Sequence, residues 1–98
     1  MPQPNSLLGV WEKQPGSPCG GTYPQRLVLL PDGTYRGQPA EAGQFIVWDV
    51  GTYRFTDPDV VEISTANDAV VAYRFAVSGD FLEVTDPNSC KITFARVG

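Results

Sequence analysis

Short segments in which apolar and polar residues alternate recur along the chain, and each ends at a cluster of Gly, Pro, Asp or Asn. The clearest boundary is Asp32-Gly33, which separates residues 26–30 from residues 34–36. An Asp-Gly pair between two alternating segments is the strongest short-range signal for a β-hairpin. Because successive side chains of a strand point to opposite faces, a period of two indicates strands. The pattern therefore predicts short strands joined by tight turns.

The longest stretch without a turn signal, residues 69–78, places Val71, Tyr73, Phe75 and Val77 at a period of two. Its β-branched and aromatic content favours a strand over a helix. The same pattern predicts strands at residues 7–13, 26–30, 34–36, 60–64, 81–85 and 90–97.

A further strand, the fourth in chain order, is predicted in two parts, residues 44–49 and 51–55. Gly51 interrupts its alternation, as a β-bulge would, and we expect it to re-aim Tyr53 and Phe55.

The connections between the predicted strands determine how the strands pair. Most span only two to about five residues, so consecutive strands should be antiparallel neighbours. A long meander of about eight such strands leaves no exposed edge strand when it closes into a barrel. We therefore predict an all-β fold, an antiparallel up-and-down barrel formed by a single domain of 98 residues, with residues 1–6 as a flexible N-terminal arm. A two-sheet sandwich is the alternative. It needs longer crossovers, which only residues 14–25 and 37–43 provide.

The distribution of charge limits the classes of partner. The formal net charge is −4 and the seven Lys and Arg residues are scattered singly, which argues against nucleic acid and anionic membrane surfaces. No apolar run approaches the ~20 residues of a membrane-spanning helix. The N-terminus carries no signal-peptide pattern, which favours a cytoplasmic protein, or an exported one whose signal was removed.

Catalytic and metal-binding patterns are missing from the sequence. There is no His to serve as a base, Ser17, Ser78 and Ser89 sit in turn clusters, and no Gly-x-Ser-x-Gly occurs. Asp57 and Asp59 flank a proline at a strand junction, where Asp side chains cap turns. Without His and with two Cys, the chain has too few soft ligands for structural zinc. We predict a protein that is not an enzyme and holds neither a metal nor a cofactor.

Several short motifs resemble those of small bacterial lipocalin-like domains of the calycin superfamily. They are, in order, Gly9-Val10-Trp11, the run from Leu29 to Tyr35, Gly51-Thr52-Tyr53, a Tyr-x-Phe strand, and Phe81-Leu82-Glu83-Val84. In lipocalins an Arg on the last strand packs over the Trp of Gly-x-Trp and closes one end of the barrel. Arg96 stands at the matching position. In a closed meander the first and last strands are also neighbours, so Arg96 should meet Trp11 in a cation–π contact.

Aromatic residues occur on nearly every predicted strand, and they allow two interpretations. An eight-stranded barrel is only just wide enough to be filled by side chains or to hold one small ligand. Either the aromatic rings fill the barrel, or Tyr35, Trp48, Tyr53 and Tyr73 line an open mouth and bind a small hydrophobic molecule. The second interpretation requires a cavity of about 300 Å³ or more.

The two cysteines, Cys19 and Cys90, lie just after the first predicted strand and at the start of the last. Antiparallel pairing of these strands would bring the two positions together at the end of the barrel opposite Arg96. Either they form a disulfide, which would add ~3–4 kcal/mol of stability, or they are unpaired thiols. A disulfide conflicts with a cytoplasmic location.

Three functional hypotheses follow. The first is a binding module that holds a small hydrophobic ligand at the open end of the barrel. The second is a protein-interaction barrel that engages a partner through residues 14–25 or the N-terminal arm, as in the small bacterial metalloprotease inhibitors that the chain resembles. The third is a homodimer formed through residues 45–48, which are apolar on both faces and otherwise lie under the 37–43 loop.

Overall fold

Eight strands close into an antiparallel up-and-down barrel, in which each strand pairs with the next and the last pairs with the first. This computed structural model describes residues 7–16, 20–66 and 69–97. It confirms the predicted all-β barrel. A short 3₁₀ helix, Gly20–Thr22, lies between the first two strands. The strands are β1 Gly9–Lys13, β2 Arg26–Leu29, β3 Thr34–Gln38, β4 Val50–Asp57, β5 Val60–Ser64, β6 Val70–Ser78, β7 Phe81–Thr85 and β8 Lys91–Arg96.

The predicted hairpin at Asp32-Gly33 is present between β2 and β3. Gly33 has a φ of 88°, a conformation that residues with a side chain rarely adopt. The carboxylate of Asp32 accepts hydrogen bonds from the backbone N–H of Thr34 at 3.0 Å and from its hydroxyl at 2.6 Å. These bonds lower the pKa of Asp32, since they favour the charged form.

The up-and-down order gives the barrel two distinct ends. The start of β1, the end of β8 and the β2–β3, β4–β5 and β6–β7 turns lie at one end, which we call the Trp11 end. The β1–β2, β3–β4, β5–β6 and β7–β8 connections lie at the opposite end, which we call the mouth.

The prediction of a strand at residues 44–49 is wrong. These residues belong to the β3–β4 loop, and β4 begins only at Val50. Ile46 and Trp48 are buried while Phe45 is exposed, so the loop has the alternation of a strand without being paired as one. Tertiary burial at the mouth produced the pattern that indicated a strand.

The predicted bulge at Gly51 is also misplaced. Gly51 pairs regularly with Tyr35 across β3 and β4, whereas the register shift of β4 lies between Phe55 and Asp57. Gly51 serves a different purpose, because a side chain there would overlap the hydroxyl of Ser64 and approach the Tyr35 ring to 3.1 Å.

Candidate functional site: the barrel interior, its two ends and its outer face

The Trp11 end of the barrel is closed by side chains. Trp11 is fully buried, and its indole Nε1–H donates to the carbonyl oxygen of Leu7 at 3.0 Å. The Arg96 guanidinium lies over the Trp11 ring, with Cζ 4.3 Å from the ring centroid, and its Nη1 donates to the carbonyl oxygen of Leu8 at 2.7 Å. The two residues face each other across β1 and β8. The cation is thus held between an aromatic face and a backbone oxygen.

The mouth is closed by an aromatic cluster. Trp48, fully buried, lies edge-on to Tyr23 and Tyr73, with ring centroids 4.8 Å and 5.0 Å away. It also stacks against Phe94 at 6.3 Å. Edge-to-face contacts of this kind are favourable beyond the area they bury. Two loops, the β1–β2 loop through Tyr23 and the β3–β4 loop through Trp48, therefore fill the space that an open mouth would leave.

Trp48 reaches this position because the backbone of its loop enters the barrel beside Gly37. A side chain at Gly37 would overlap the carbonyl oxygen of Trp48 and come within 3.0 Å of Pro24 Cβ. The Gly37 N–H donates to the carbonyl oxygen of Asp49 at 2.6 Å, and the Val47 N–H donates to that of Thr22 at 2.7 Å. The loop is thereby fastened to both sides of the mouth.

The indole N–H of Trp48 is the one buried side-chain polar group in the described part of the chain without a well-formed hydrogen bond. It lies near the hydroxyl of Tyr73, where it favours the ionised form of that tyrosine, but the alignment falls short of a regular hydrogen bond.

The tyrosine hydroxyls are occupied by bonds inside the protein. The Tyr35 hydroxyl donates to the carbonyl oxygen of Ser64, and the Tyr53 hydroxyl donates to that of Leu30. The Tyr23 hydroxyl donates to the Asp86 carboxylate at 3.0 Å.

Burial raises the pKa of every tyrosine, because the charged phenolate is poorly solvated inside the barrel. Burial first, and then the charge of Asp49, raises the pKa of Tyr35 to about 12. The tyrosines are therefore neutral, internally bonded parts of the core.

The four residues predicted to bind a ligand do not line one opening. Trp48 and Tyr73 meet at the mouth, but the Tyr53 hydroxyl is bonded to Leu30 at the Trp11 end. Tyr35 is buried and bonded to the end of β5. Tyr23, which no sequence motif indicated, belongs to the mouth cluster. The signal that could have found it is a lone Tyr-Pro pair inside an otherwise Gly- and Pro-rich loop.

The interior that remains is very small. Between the ends lies an apolar cavity of about 20 Å³, whereas a small-ligand site needs about 300 Å³ or more. A cavity of this size has room for about one water molecule and offers it no polar partner. Among the described residues, the barrel is filled by its own side chains. The cavity is lined by Leu7, Leu27, Leu29, Trp48, Tyr53, Phe55, Val61, Ile63, Phe75, Leu82 and Val84.

On its outer surface, near the Trp11 end, the barrel carries a row of apolar side chains that we call the apolar band. Phe81 and Val97, two of the exposed large apolar residues of the described chain, are 53% and 51% exposed. Phe81 faces Ala95 across β7 and β8, the Val97 N–H bonds to the carbonyl oxygen of Val10, and Val10 faces Val28 across β1 and β2. The band consists of Phe81, Ala95, Val97, Val10 and Val28.

Two ion pairs lie beside the apolar band, both on the side toward the mouth. Arg26 contacts Glu12 at 3.1 Å across β1 and β2, and Lys91 contacts Glu83 at 3.9 Å across β7 and β8. Exposed pairs such as these add little to stability. An apolar patch bordered by charged side chains is typical of protein–protein contact surfaces.

Several predicted elements lie outside the described residues. Cys90 is half-buried and packs against the core, but Cys19 is not among the described residues, so the disulfide stays a prediction. The N-terminal arm, residues 1–6, is likewise not described. In the described ranges, no group of three or more Cys, Asp or Glu side chains is placed to share a metal ion.

The fold and its packed interior define the class of this protein: an eight-stranded antiparallel barrel, compatible with a lipocalin-like fold. Comparisons with protein-family models, with curated proteins and with solved structures find no match. No helix in the described part of the chain is long and apolar enough to cross a membrane.

Proposed function

We propose that this protein is a non-catalytic protein-interaction barrel, which recognises a partner protein with its outer surface. The observation that carries the proposal is the filled interior. With a cavity of only about 20 Å³, the barrel has no internal site for a ligand, so recognition falls to the outside.

The apolar band is the surface that supports this function best. Phe81 and Val97 expose apolar area that only a partner would bury, and the two ion pairs on the mouth side of the band supply polar contacts for that partner. The band lies at the Trp11 end, where the described chain begins at Leu7. The predicted N-terminal arm precedes that residue in the sequence, so its contribution to the same contact is tested separately.

A small-ligand function has no such support. A ligand at the mouth would have to displace Trp48 from Tyr23, Tyr73 and Phe94, and its loop from three backbone hydrogen bonds to neighbouring segments. A rigid, self-filled barrel suits a scaffold that presents a surface.

The test compares two phenylalanines of equal exposure. Phe81 in the apolar band is 53% exposed, and Phe45 in the mouth loop is 56% exposed. We expect a partner protein captured by the wild-type chain from extracts of its source to be lost with Phe81→Ser and retained with Phe45→Ser. Deletion of residues 1–6 should weaken the same capture without changing the circular dichroism spectrum.

Two results would contradict the proposal. One is a partner whose binding is equally sensitive to both phenylalanine substitutions. The other is a small molecule that accompanies the gently purified protein in native mass spectrometry, since such a molecule would require an internal site.

A further inference from the structure

Strand β6 is paired over different lengths on its two sides. It pairs with β5 from Val70 to Arg74, but with β7 only from Arg74 to Ser78. Among the described residues, the part of β6 before Arg74 therefore has a neighbouring strand on one side only. That open edge lies at the mouth, away from the apolar band. It is therefore a second surface, and it can be tested independently of the proposed function.

The backbone of Ala72 points toward the open side. The Phe75 N–H donates to the carbonyl oxygen of Asp59, on the side of β5. Because backbone groups alternate along a strand, Val71 and Tyr73 also face β5, while Ala72 and Arg74 face the side of β7. Arg74 meets Thr85 there, but no described strand lies beside Ala72.

The pairing ends where it does because of Pro87. Because β6 and β7 are antiparallel, each step toward the start of β6 is a step toward the end of β7. Phe75 pairs with Val84, and Arg74 pairs with Thr85. Continued for two residues, this register would place Pro87 opposite Ala72. Proline has no N–H and cannot complete the reciprocal pair of hydrogen bonds that an antiparallel ladder requires.

Asp86 stabilises the β7–β8 turn by hydrogen bonds within the turn. Its carboxylate accepts hydrogen bonds from the N–H groups of Asn88 and Cys90, each at 2.9 Å, and from the Tyr23 hydroxyl at 3.0 Å. The Asp86 N–H donates to the carbonyl oxygen of Cys90 at 2.9 Å. The backbone of the β7–β8 turn therefore bonds to itself rather than to β6.

A groove of about 320 Å³ lies between the open edge and this turn. Its lining combines apolar groups with the hydroxyls of Thr85 and Ser89 and the charged groups of Arg74 and Asp86. The apolar chains of a lipid offer no partner for a backbone N–H and C=O, whereas the main chain of an extended peptide matches both. The groove is lined by Val60, Ala72, Tyr73, Arg74, Thr85, Asp86, Pro87 and Ser89.

We propose that this groove binds an extended peptide segment of a partner protein. The segment adds to β6 beside Ala72, on the side of β6 that β7 does not reach. Main-chain hydrogen bonds to Ala72 give the binding energy, as in other cases of strand addition to an exposed sheet edge. The small side chain of Ala72 points outward and leaves the edge accessible. Only a short length of edge is open, so the peptide pairs over a few residues.

The first measurement is amide hydrogen exchange by NMR on the free protein. The Ala72 amide should exchange rapidly, while those of Val71 and Tyr73, which face β5, should be protected. The second is selection of a phage-displayed library of random nine-residue peptides on the immobilised protein. A selected peptide should slow exchange at Ala72 and shift the resonances of residues 72–74 and 85–89.

Variants at the edge separate backbone pairing from other contacts. Ala72→Pro removes the N–H and should weaken a selected peptide at least tenfold, while the control Ala72→Val keeps the N–H and should retain binding. If Ala72→Pro fails to fold, Thr85→Trp provides the second test. It fills the groove without altering the edge, and should also abolish binding.

The proposal is overturned if Ala72 is protected in the free protein, if the library yields no binder, or if selected peptides bind Ala72→Pro as well as wild type. It is also overturned if the protein sediments as a dimer that Ala72→Pro dissociates, because the edge would then belong to a second copy of the chain. None of these outcomes depends on whether Phe81 contacts a partner.

Discussion

The backbone carbonyl of Trp48 occupies the space into which a side chain at position 37 would extend, and residue 37 is glycine. Through this relationship the β3–β4 loop enters the mouth, and Trp48 completes the core between Tyr23, Tyr73 and Phe94. A single missing side chain on β3 therefore decides whether the barrel is open or filled.

The Gly37→Ala substitution should reveal this dependence. The added methyl group would collide with the Trp48 carbonyl, so we expect a loss of about 1–3 kcal/mol in the free energy of unfolding, as for other overpacked cores. Urea denaturation followed by tryptophan fluorescence measures it. Gly21→Ala is the control, because a side chain at Gly21 meets nothing within 4 Å. Equal stability of the two variants would show that the loop does not depend on Gly37.

Trp11 is expected to be indispensable for stability. It is fully buried, bonded to Leu7 and covered by Arg96, so Trp11→Ala should cost about 3–5 kcal/mol as a large-to-small core change. Val50→Ala, at a position 64% exposed, should change stability by less than about 0.5 kcal/mol. Thermal and urea unfolding measure both. A loss below about 1 kcal/mol for Trp11→Ala would mean that Trp11 does not close the barrel.

Stability should fall at alkaline pH. Folding raises the pKa of each tyrosine, so the folded protein favours the neutral hydroxyl over the phenolate. The resulting contribution to the stability of the folded protein is fully present below the pKa that the tyrosine has in the unfolded chain. For Tyr35 it is lost as pH rises from 10.0 to about 12. In that interval Tyr35 contributes a slope of up to about 1.4 kcal/mol per pH unit.

Tyrosinate absorbance and urea unfolding between pH 9 and 12 test this expectation. The folded protein should show little tyrosinate near pH 10. Tyr35→Phe should remove the contribution of Tyr35, so that the free energy of unfolding falls less steeply with pH. Half-ionised tyrosines in the folded protein at pH 10 would contradict the buried placement of their hydroxyls.

The predicted disulfide between Cys19 and Cys90 can be tested by alkylation. Iodoacetamide added to the denatured protein without reductant should leave the intact mass unchanged, and prior reduction should add two carbamidomethyl groups. Replacement of both cysteines by serine should cost ~3–4 kcal/mol of stability, because the disulfide restricts the unfolded chain. Alkylation of both cysteines without reductant would rule the disulfide out.

Local patterns predicted the strands well wherever the turn chemistry lay beside them. Residues 60–64 and 81–85 were predicted with the bounds that β5 and β7 have, and Asp32-Gly33 forms its hairpin. In each case the alternation and the turn residues are neighbours in sequence, so no distant part of the chain is needed to decide the outcome. Short connections then required antiparallel neighbours, and closure of the sheet followed.

The errors lie where a distant contact overrode a local pattern. Residues 44–49 have the apolar content of a strand, but Trp48 is buried by Tyr23, Tyr73 and Phe94, which are distant in sequence. Gly51 is required by the Tyr35 ring and the Ser64 hydroxyl rather than by a bulge. Neither contact partner can be deduced from the residues adjacent to these positions.

By itself, the sequence determined most of the strand pattern and the barrel class, because alternation, turn chemistry and strand order are local or follow directly from local choices. The contact at the Trp11 end followed from the lipocalin resemblance together with closure of the meander. Only the tertiary structure decided what occupies the barrel. That depends on the volume left between eight inward faces and on whether two loops can fold back into it. The space beside Gly37 lets Trp48 enter, and the remaining cavity of about 20 Å³ leaves recognition to the outer surface.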